Sequence, residues 1–349
     1  MAYTDATEPH THAHGHGAKP KSHWGMGLQL AFLVFALCIL FHPSREHART
    51  VASTFVSIVL EALPFVLLGT LIGGLVEVFV PRERMAALLP RRKWVTVLVA
   101  AGLGMIFPVC ECAIVPVVRR LLRKGVPLGA AIAYLLGGPI VNPLVAGSTA
   151  VAYAGNWRVV IIRLACGYLI AVVVGLLMNL AFSKRSALIP EALGEDEHGD
   201  ACCHALEPPA SLRGKMALAV RHAADDFYDI GRFLVIGAFI AGLLQTMIAR
   251  RAFASVMGAP AVSILLMMVM AVVLNLCSEA DAFIAASFRG SPVPLVAQMA
   301  FMVLGPMLDI KLLLMYLRVF RTRAIVVLAS LTTLTVFLAM VVLWWRALL

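Results

Sequence analysis

The run IIRLACGYLIAVVVGLLMNLAF, residues 161–182, carries one charge, Arg163, over a length that crosses a bilayer. About 20 consecutive apolar residues span the hydrocarbon core as a helix. Lipid offers no partner for backbone N–H and C=O groups, so only helices and closed barrels cross it. A barrel would read as short alternating strands. This chain instead has long apolar runs, at 24–41, 51–80, 128–152, 159–182, 227–249, 295–317 and 324–345. Its 14% charged residues fall well below the roughly 25% of a soluble domain. The fold class expected is an all-α polytopic membrane protein.

That environment changes how the other totals are read. The net charge of +10 marks loops rather than nucleic acid, because basic residues gather on the cytoplasmic side of membrane proteins. No phosphate-cradling P-loop occurs, so neither ATP hydrolysis nor other enzymatic work is expected. The polar start of the chain does not read as a cleavable signal. Seven cysteines, several at membrane depth, do not read as a disulfide framework, and no cofactor is expected beyond a bound or transported metal ion.

Two further apolar stretches are interrupted. Residues 94–118 contain PVCECAIVP, with Pro108 and Pro116, and residues 259–288 contain Asn275, Cys277, Ser278, Glu279 and Asp281. Polar groups and broken backbone survive at that depth only inside protein or beside water. The two halves of the chain also match. FVLLGTLIGGLV (65–76) lies on FLVIGAFIAGLL (233–244) at an offset of 168. CEC (110–112) lies on CSE (277–279), and GGPIVN (137–142) on LGPMLD (304–309), at an offset of 167. This is an internal duplication.

Charge gives the sense of the repeat. Basic clusters flank 94–118 on both sides, RERMAALLPRRK before it and RRLLRK after. If the stretch dips in and returns, both clusters face the cytoplasm. Only Arg45, Arg49, Arg158, Arg250, Arg251, Arg289 and Arg346 are then left outside. Each half has an odd number of crossings, which gives an inverted repeat with two re-entrant elements. The expected organisation is a His-bearing cytosolic tail (1–23), a first transmembrane helix and loop (24–50) and repeat 1 (51–182). A mobile cytosolic linker (183–226) and repeat 2 (227–349) follow.

Ionisable side chains in a membrane point to a functional pathway. The pseudo-symmetry brings Cys110, Glu111 and Cys112 toward Cys277 and Glu279, with Asp281 two residues on and Asn142 and Asp309 after the Gly-Pro breaks. Thiolates with carboxylates suit Zn²⁺, Cu⁺ or trivalent arsenic. Asp309 and Lys311 could neutralise one another or a substrate; two apart, they would not share a helix face, so pairing across helices is the favoured expectation. Glu61, Glu77 and Arg232 read as interfacial or snorkelling groups. Outside the membrane, His10, His12, His14 and His16 alternate. His198, Cys202, Cys203 and His204 cluster in the linker as a candidate metal-capture tract.

FPVCECAIVPVVRRLLRKGVPLGAAIAYLLGGPIVNPLV, LCSEADAFIAASF and MVLGPMLDIK together resemble the bacterial predicted-permease family that includes YraQ, YcgR and the ArsP organoarsenical exporters. The resemblance spans nearly all of 51–345. It implies a multi-pass permease of the bacterial inner membrane, working in some members with a second, separately encoded subunit. Some relatives are linked to arsenic, copper or zinc efflux. The exporter branch reads more like Cys-Ser-Cys-Gly at the first block, where this chain has Cys110-Glu111-Cys112-Ala113, closer to the YcgR branch. Export of a thiophilic metal or metalloid ion is the function expected. Two alternatives remain: a non-transporting, metal-responsive or scaffolding subunit, and a permease for an organic anion or sulfur compound.

Overall fold

The computed structural model describes residues 45–79, 92–193, 211–247, 260–274, 276–289 and 293–346. The chain divides into two compact units, Met1–Ala48 and Arg49–Leu349, and the second holds every element below apart from the first turn of α1. The expected tail 1–23 and the apolar run 24–41 lie outside the described residues.

The protein is helical; outside helices, the described residues form one isolated bridge, Leu188 to Phe320. The first half comprises α1 (Arg45–Phe79), α2 (Lys93–Gly102, continued by a 3-10 turn Leu103–Met105), α3 (Glu111–Arg123), α4 (Leu128–Gly137), α5 (Pro143–Ala152) and α6 (Trp157–Ala181). Two one-turn helices follow, α7 (Lys184–Ala187) and α8 (Pro190–Leu193). The second half comprises α9 (Leu212–Met247), α10 (Pro260–Leu274), α11 (Ala280–Ala286), α12 (Leu295–Leu304), α13 (Ile310–Tyr316) and α14 (Thr322–Trp345). Arg49–Phe79, Trp157–Ala181, Leu212–Leu244 and Thr322–Trp345 are long and apolar enough to cross a membrane. A ten-residue helix such as α4 or α12 rises only about 15 Å, half the hydrocarbon thickness.

The duplication is built into these elements. Arg45 and Leu212, Lys93 and Pro260, and Leu128 and Leu295 open matching helices, and each pair is 167 apart. Asn142 and Asp309, also 167 apart, cap α5 and α13. Their side chains accept hydrogen bonds from the Val145 and Leu312 N–H groups at 2.9 and 2.6 Å, supplying acceptors to helix starts buried away from water.

Contacts give the direction of each piece. The first turns of α2 lie beside the end of α6, where Val97 faces Gly175, and α2 then advances until Gly102 faces Tyr168. Helix α3 starts about two-thirds of the way along α1, where Gly69 meets the Ala113 backbone, and ends where Lys124 reaches Glu77. At that same end Lys184, just after α6, donates to the Leu122 carbonyl. The stretch 93–123 therefore enters and leaves at one end, the basic one. Its counterpart enters from the other: Arg289, after α11, donates to the Ala152 carbonyl, while Cys277 bonds Glu61 in the middle of α1. The packing is close because small residues line it. A Cβ on Gly69 would sit 2.5 Å from the Ala113 carbonyl oxygen.

Three expectations are corrected. The runs 128–152 and 295–317 are each a crossing broken at its Gly-Pro, since proline there cannot continue the hydrogen-bond ladder. The linker expected at 183–226 is ordered where described. Residues 184–193 form short helices, and 212–226 belong to α9, whose Ala219 packs on Gly74. Residues 212–226 lie beyond the acid-, Pro- and Gly-rich stretch that suggested a linker, and their Ala, Leu, Arg and Met favour helix. The loop expected before residue 51 gives way to helix from Arg45.

Cysteine substitutions test this threading. Arg92→Cys and Gly125→Cys are expected to react with a membrane-impermeant maleimide from one side only, and Asn156→Cys and Ser287→Cys from the other. Labelling of Arg92→Cys and Gly125→Cys from opposite sides would contradict the re-entrant path.

Candidate functional site

Pro108 pushes the residue before it out of the helical region, so α2 cannot run into α3 and the backbone opens over 106–110. Cys110 then caps α3 in an extended conformation, with Glu111 in the first turn, where the helix dipole favours a negative charge. Cys110, Glu111 and Cys112 are all buried. The other tip presents Cys277, whose thiol donates to Glu61 Oε1 at 2.7 Å. The two tips share one cavity of about 30 Å³, lined by Cys110, Glu111, Cys112, Leu276, Cys277 and Lys311 with Ile58, Glu61, Ala62 and Phe65 of α1. That is room for one or two water-sized species.

At its centre is an ion cluster. Lys311 Nζ lies 3.2 Å from Glu111 Oε1 and 3.5 Å from Asp309 Oδ2. Glu111 and Asp309 are fully buried and Lys311 is 2% exposed. The Cys112 thiol adds a long 3.9 Å hydrogen bond to Glu111 Oε1, whereas Glu111 Oε2 has no hydrogen-bond partner. Lys311 thus pairs across helices, as expected, and also with its near neighbour. Asp309 caps α13 from outside the helix, so the rule that residues two apart diverge does not apply to it.

Of the predicted site residues, the structure gathers Cys110, Glu111, Cys112 and Cys277 at the cavity and sets Asp309 behind Lys311. Asn142 does not reach it; its side chain is spent on Val145 N–H and the Pro139 carbonyl. Glu279 accepts from Ser278 Oγ at 3.2 Å and from the Cys277 thiol, and so stands just behind the cavity lining. Asp281 is buried with Oδ2 unpartnered, at a spot where a Cβ on Gly305 would come within 2.7 Å. His198, Cys202, Cys203 and His204, like the alternating N-terminal histidines, lie outside the described residues. Among the described residues, no three His, Cys, Asp or Glu side chains are grouped to hold a metal ion.

Two participants were missed. Glu61, read as interfacial, lines the cavity; its place in the middle of an apolar run was the signal. Arg163, read as no more than a charge within a span, is fully buried and ties the halves together. It donates to Thr149 Oγ1 at 2.8 Å, to the Ser278 carbonyl at 2.8 Å and to the Met302 carbonyl at 3.1 Å. At the basic end, Arg119 and Arg120 of α3 pair with Asp226 of α9, and Arg318 pairs with Asp229. This network borders a polar cleft of about 340 Å³.

The chain matches the predicted-permease family ArsP_1 over residues 47–344. It is 40% identical to the protein YcgR of Bacillus subtilis over 278 residues, 80% of this chain and 91% of that one. A Streptococcus mutans protein, named as a candidate subunit of a two-component membrane permease complex, is 38% identical over 276 residues, 78% of this chain and 87% of that one. YraQ of Escherichia coli is 26% identical over 112 residues, 32% of each chain. No solved structure matches.

Replacing Arg163 by Met strands two buried carbonyls and a hydroxyl. Arg163→Met is expected to lower the unfolding temperature of the purified protein strongly, by the order of 3–5 kcal/mol in stability. Ser330→Ala, at the matching position of repeat 2, should stay within about 0.5 kcal/mol. An unchanged melt for Arg163→Met would contradict its structural role.

Proposed function

This chain belongs to the ArsP_1 family of predicted permeases, and from that premise we propose that it carries a thiophilic metal or metalloid species across the bacterial inner membrane. The observation that supports the reading is the single cavity faced by three thiols, Cys110, Cys112 and Cys277, drawn from re-entrant tips of opposite halves. Sulfur ligands favour soft or borderline ions such as Cu⁺, Zn²⁺ and trivalent arsenic. Glu61 and Glu111 would balance the charge of a bound cation. Rocking of one repeat against the other about a midplane site would expose it to each side in turn. A cargo must also leave, so a site short of a full metal cage suits passage better than storage. Asp281 falls outside the coordinating set, and Glu279 stands behind it, bonded to the Cys277 thiol.

Export is the direction we favour. His198, Cys202, Cys203 and His204 and the alternating N-terminal histidines belong to segments that the distribution of basic residues puts on the cytoplasmic side, where they would collect substrate. The name of the S. mutans relative favours a second reading, in which this chain works as one subunit of a two-component complex. Such a partner would be required for flux, or would make this chain its non-transporting half.

A deletion strain exposed to a panel of Zn²⁺, Cu²⁺, arsenite and methylated arsenicals tests the proposal. Loss of the gene should sensitise cells to at least one of them. Wild type should restore resistance, and the Cys110→Ser/Cys277→Ser variant, at equal membrane abundance, should not. Full rescue by that variant would overturn the thiol site. Lower metal accumulation in the deletion strain than in wild type would overturn export.

A further inference from the structure

We propose that Lys311 is a built-in competitor for the cargo: its ammonium group holds Glu111 until a cation entering the cavity displaces it. Positively charged thiophilic species therefore bind only in exchange for the ammonium, whereas neutral ones bind without that competition. This rests on reading the cavity as the translocation site and adds how a charged cargo gains its seat there.

The repeat supplies the comparison. At the offset of 167, the counterparts of Glu111, Asp309 and Lys311 are Ser278, Asn142 and Leu144, all uncharged. The broken crossing is nonetheless built in the same way on both sides, with Asn142 capping α5 as Asp309 caps α13. The break and its cap therefore do not need the charges. Burying three ions costs several kcal/mol each before pairing offsets it, so a neutral set is the easier way to make this architecture. The charged set stands at the cavity that Cys110, Cys112 and Cys277 line, and neither Asn142 nor Leu144 lines it.

The geometry is that of a seat shared between two cations. Lys311 takes one oxygen of Glu111, while the other, Oε2, is buried without a hydrogen-bond partner on a side chain that lines the cavity with Cys110, Cys112 and Cys277. A cation held by Oε2 and a thiol would face the ammonium across one carboxylate, and like charges that close repel strongly. Asp309 Oδ2, already 3.5 Å from Lys311 Nζ, offers the ammonium a second seat. Displacement is then a short shift from Glu111 toward Asp309, and loss of the cargo reverses it. A neutral species such as arsenous acid has no reason to compete.

The test measures protection of Cys110, Cys112 and Cys277 from maleimide, read by mass spectrometry on the purified full chain, with Zn²⁺, Ag⁺ and arsenite as probes. In Lys311→Met, the Zn²⁺ and Ag⁺ concentrations giving half-protection should fall at least tenfold, while that for arsenite stays within about twofold. If Lys311→Met does not fold, Lys311→Leu/Asp309→Asn rebuilds the neutral pair of the other repeat, keeps Glu111, and should show the same contrast. Unchanged Zn²⁺ and Ag⁺ protection would overturn the proposal. So would an equal gain for arsenite, which would mean only that space had been opened. If no probe protects the wild-type thiols, the translocation-site reading fails and this inference fails with it.

Discussion

The ammonium group of Lys311, 3.2 Å from the Glu111 carboxylate, joins α13 of one repeat to the tip of α3 in the other. Neither group could be buried alone, because an isolated charge in a low-dielectric interior costs far more than a helix contact returns. Each is available only because a crossing is broken at that level. The opening before α3 frees Cys110 and Glu111 at a helix start, and the Gly-Pro break before α13 frees Asp309 and Lys311. Half-helices ending near the midplane, open backbone and buried charge are thus parts of one arrangement.

Duplication makes the scaffold, and departures from it make the chemistry. The helix starts, the Gly-Pro breaks and the side-chain caps recur at one offset in both halves. The charges do not. At that offset Arg163 has Ser330 as its counterpart, Asp281 has Ile114, and Lys311 has Leu144. Arg163 fastens the second tip by its Ser278 carbonyl, so that tip is held by a side chain of the opposite repeat. The first tip is held likewise, through Glu111 and Lys311. The basic-end pairs of Arg119, Arg120 and Arg318 with Asp226 and Asp229 add a third set of ties, between α3, α9 and the end of α13.

Much of this was legible in the residues, because membranes limit the alternatives. Run length gave the long helices. Basic clusters on both flanks of 94–118 pointed to a stretch that returns, and matched CEC and CSE pointed to tips that meet. What stayed hidden depends on rotation about helix axes. Asn142 and Asp309 align in sequence, but only Asp309 stands behind the cavity, because its neighbour two residues on is a lysine and not Leu144. Asp281 shares a short stretch with Cys277 yet turns toward Gly305, whereas Glu279 stays bonded to the Cys277 thiol. Glu61 and Arg163 were visible as charges in apolar runs, but only packing across the repeats reveals what they hold. The extent of α9 was misread because the acid-, Pro- and Gly-rich character of 191–210 was carried on to 226, where Ala219 in fact packs against Gly74.

The central claim is that the two tips reach a common space from opposite sides. A variant retaining Cys110 and Cys277 as its only cysteines, with a protease site introduced between residues 194 and 210, tests it most directly. A short bifunctional thiol reagent should then hold the two halves together on a denaturing gel after cleavage. Halves that separate, although each thiol reacts fully with a monofunctional reagent, would contradict the account.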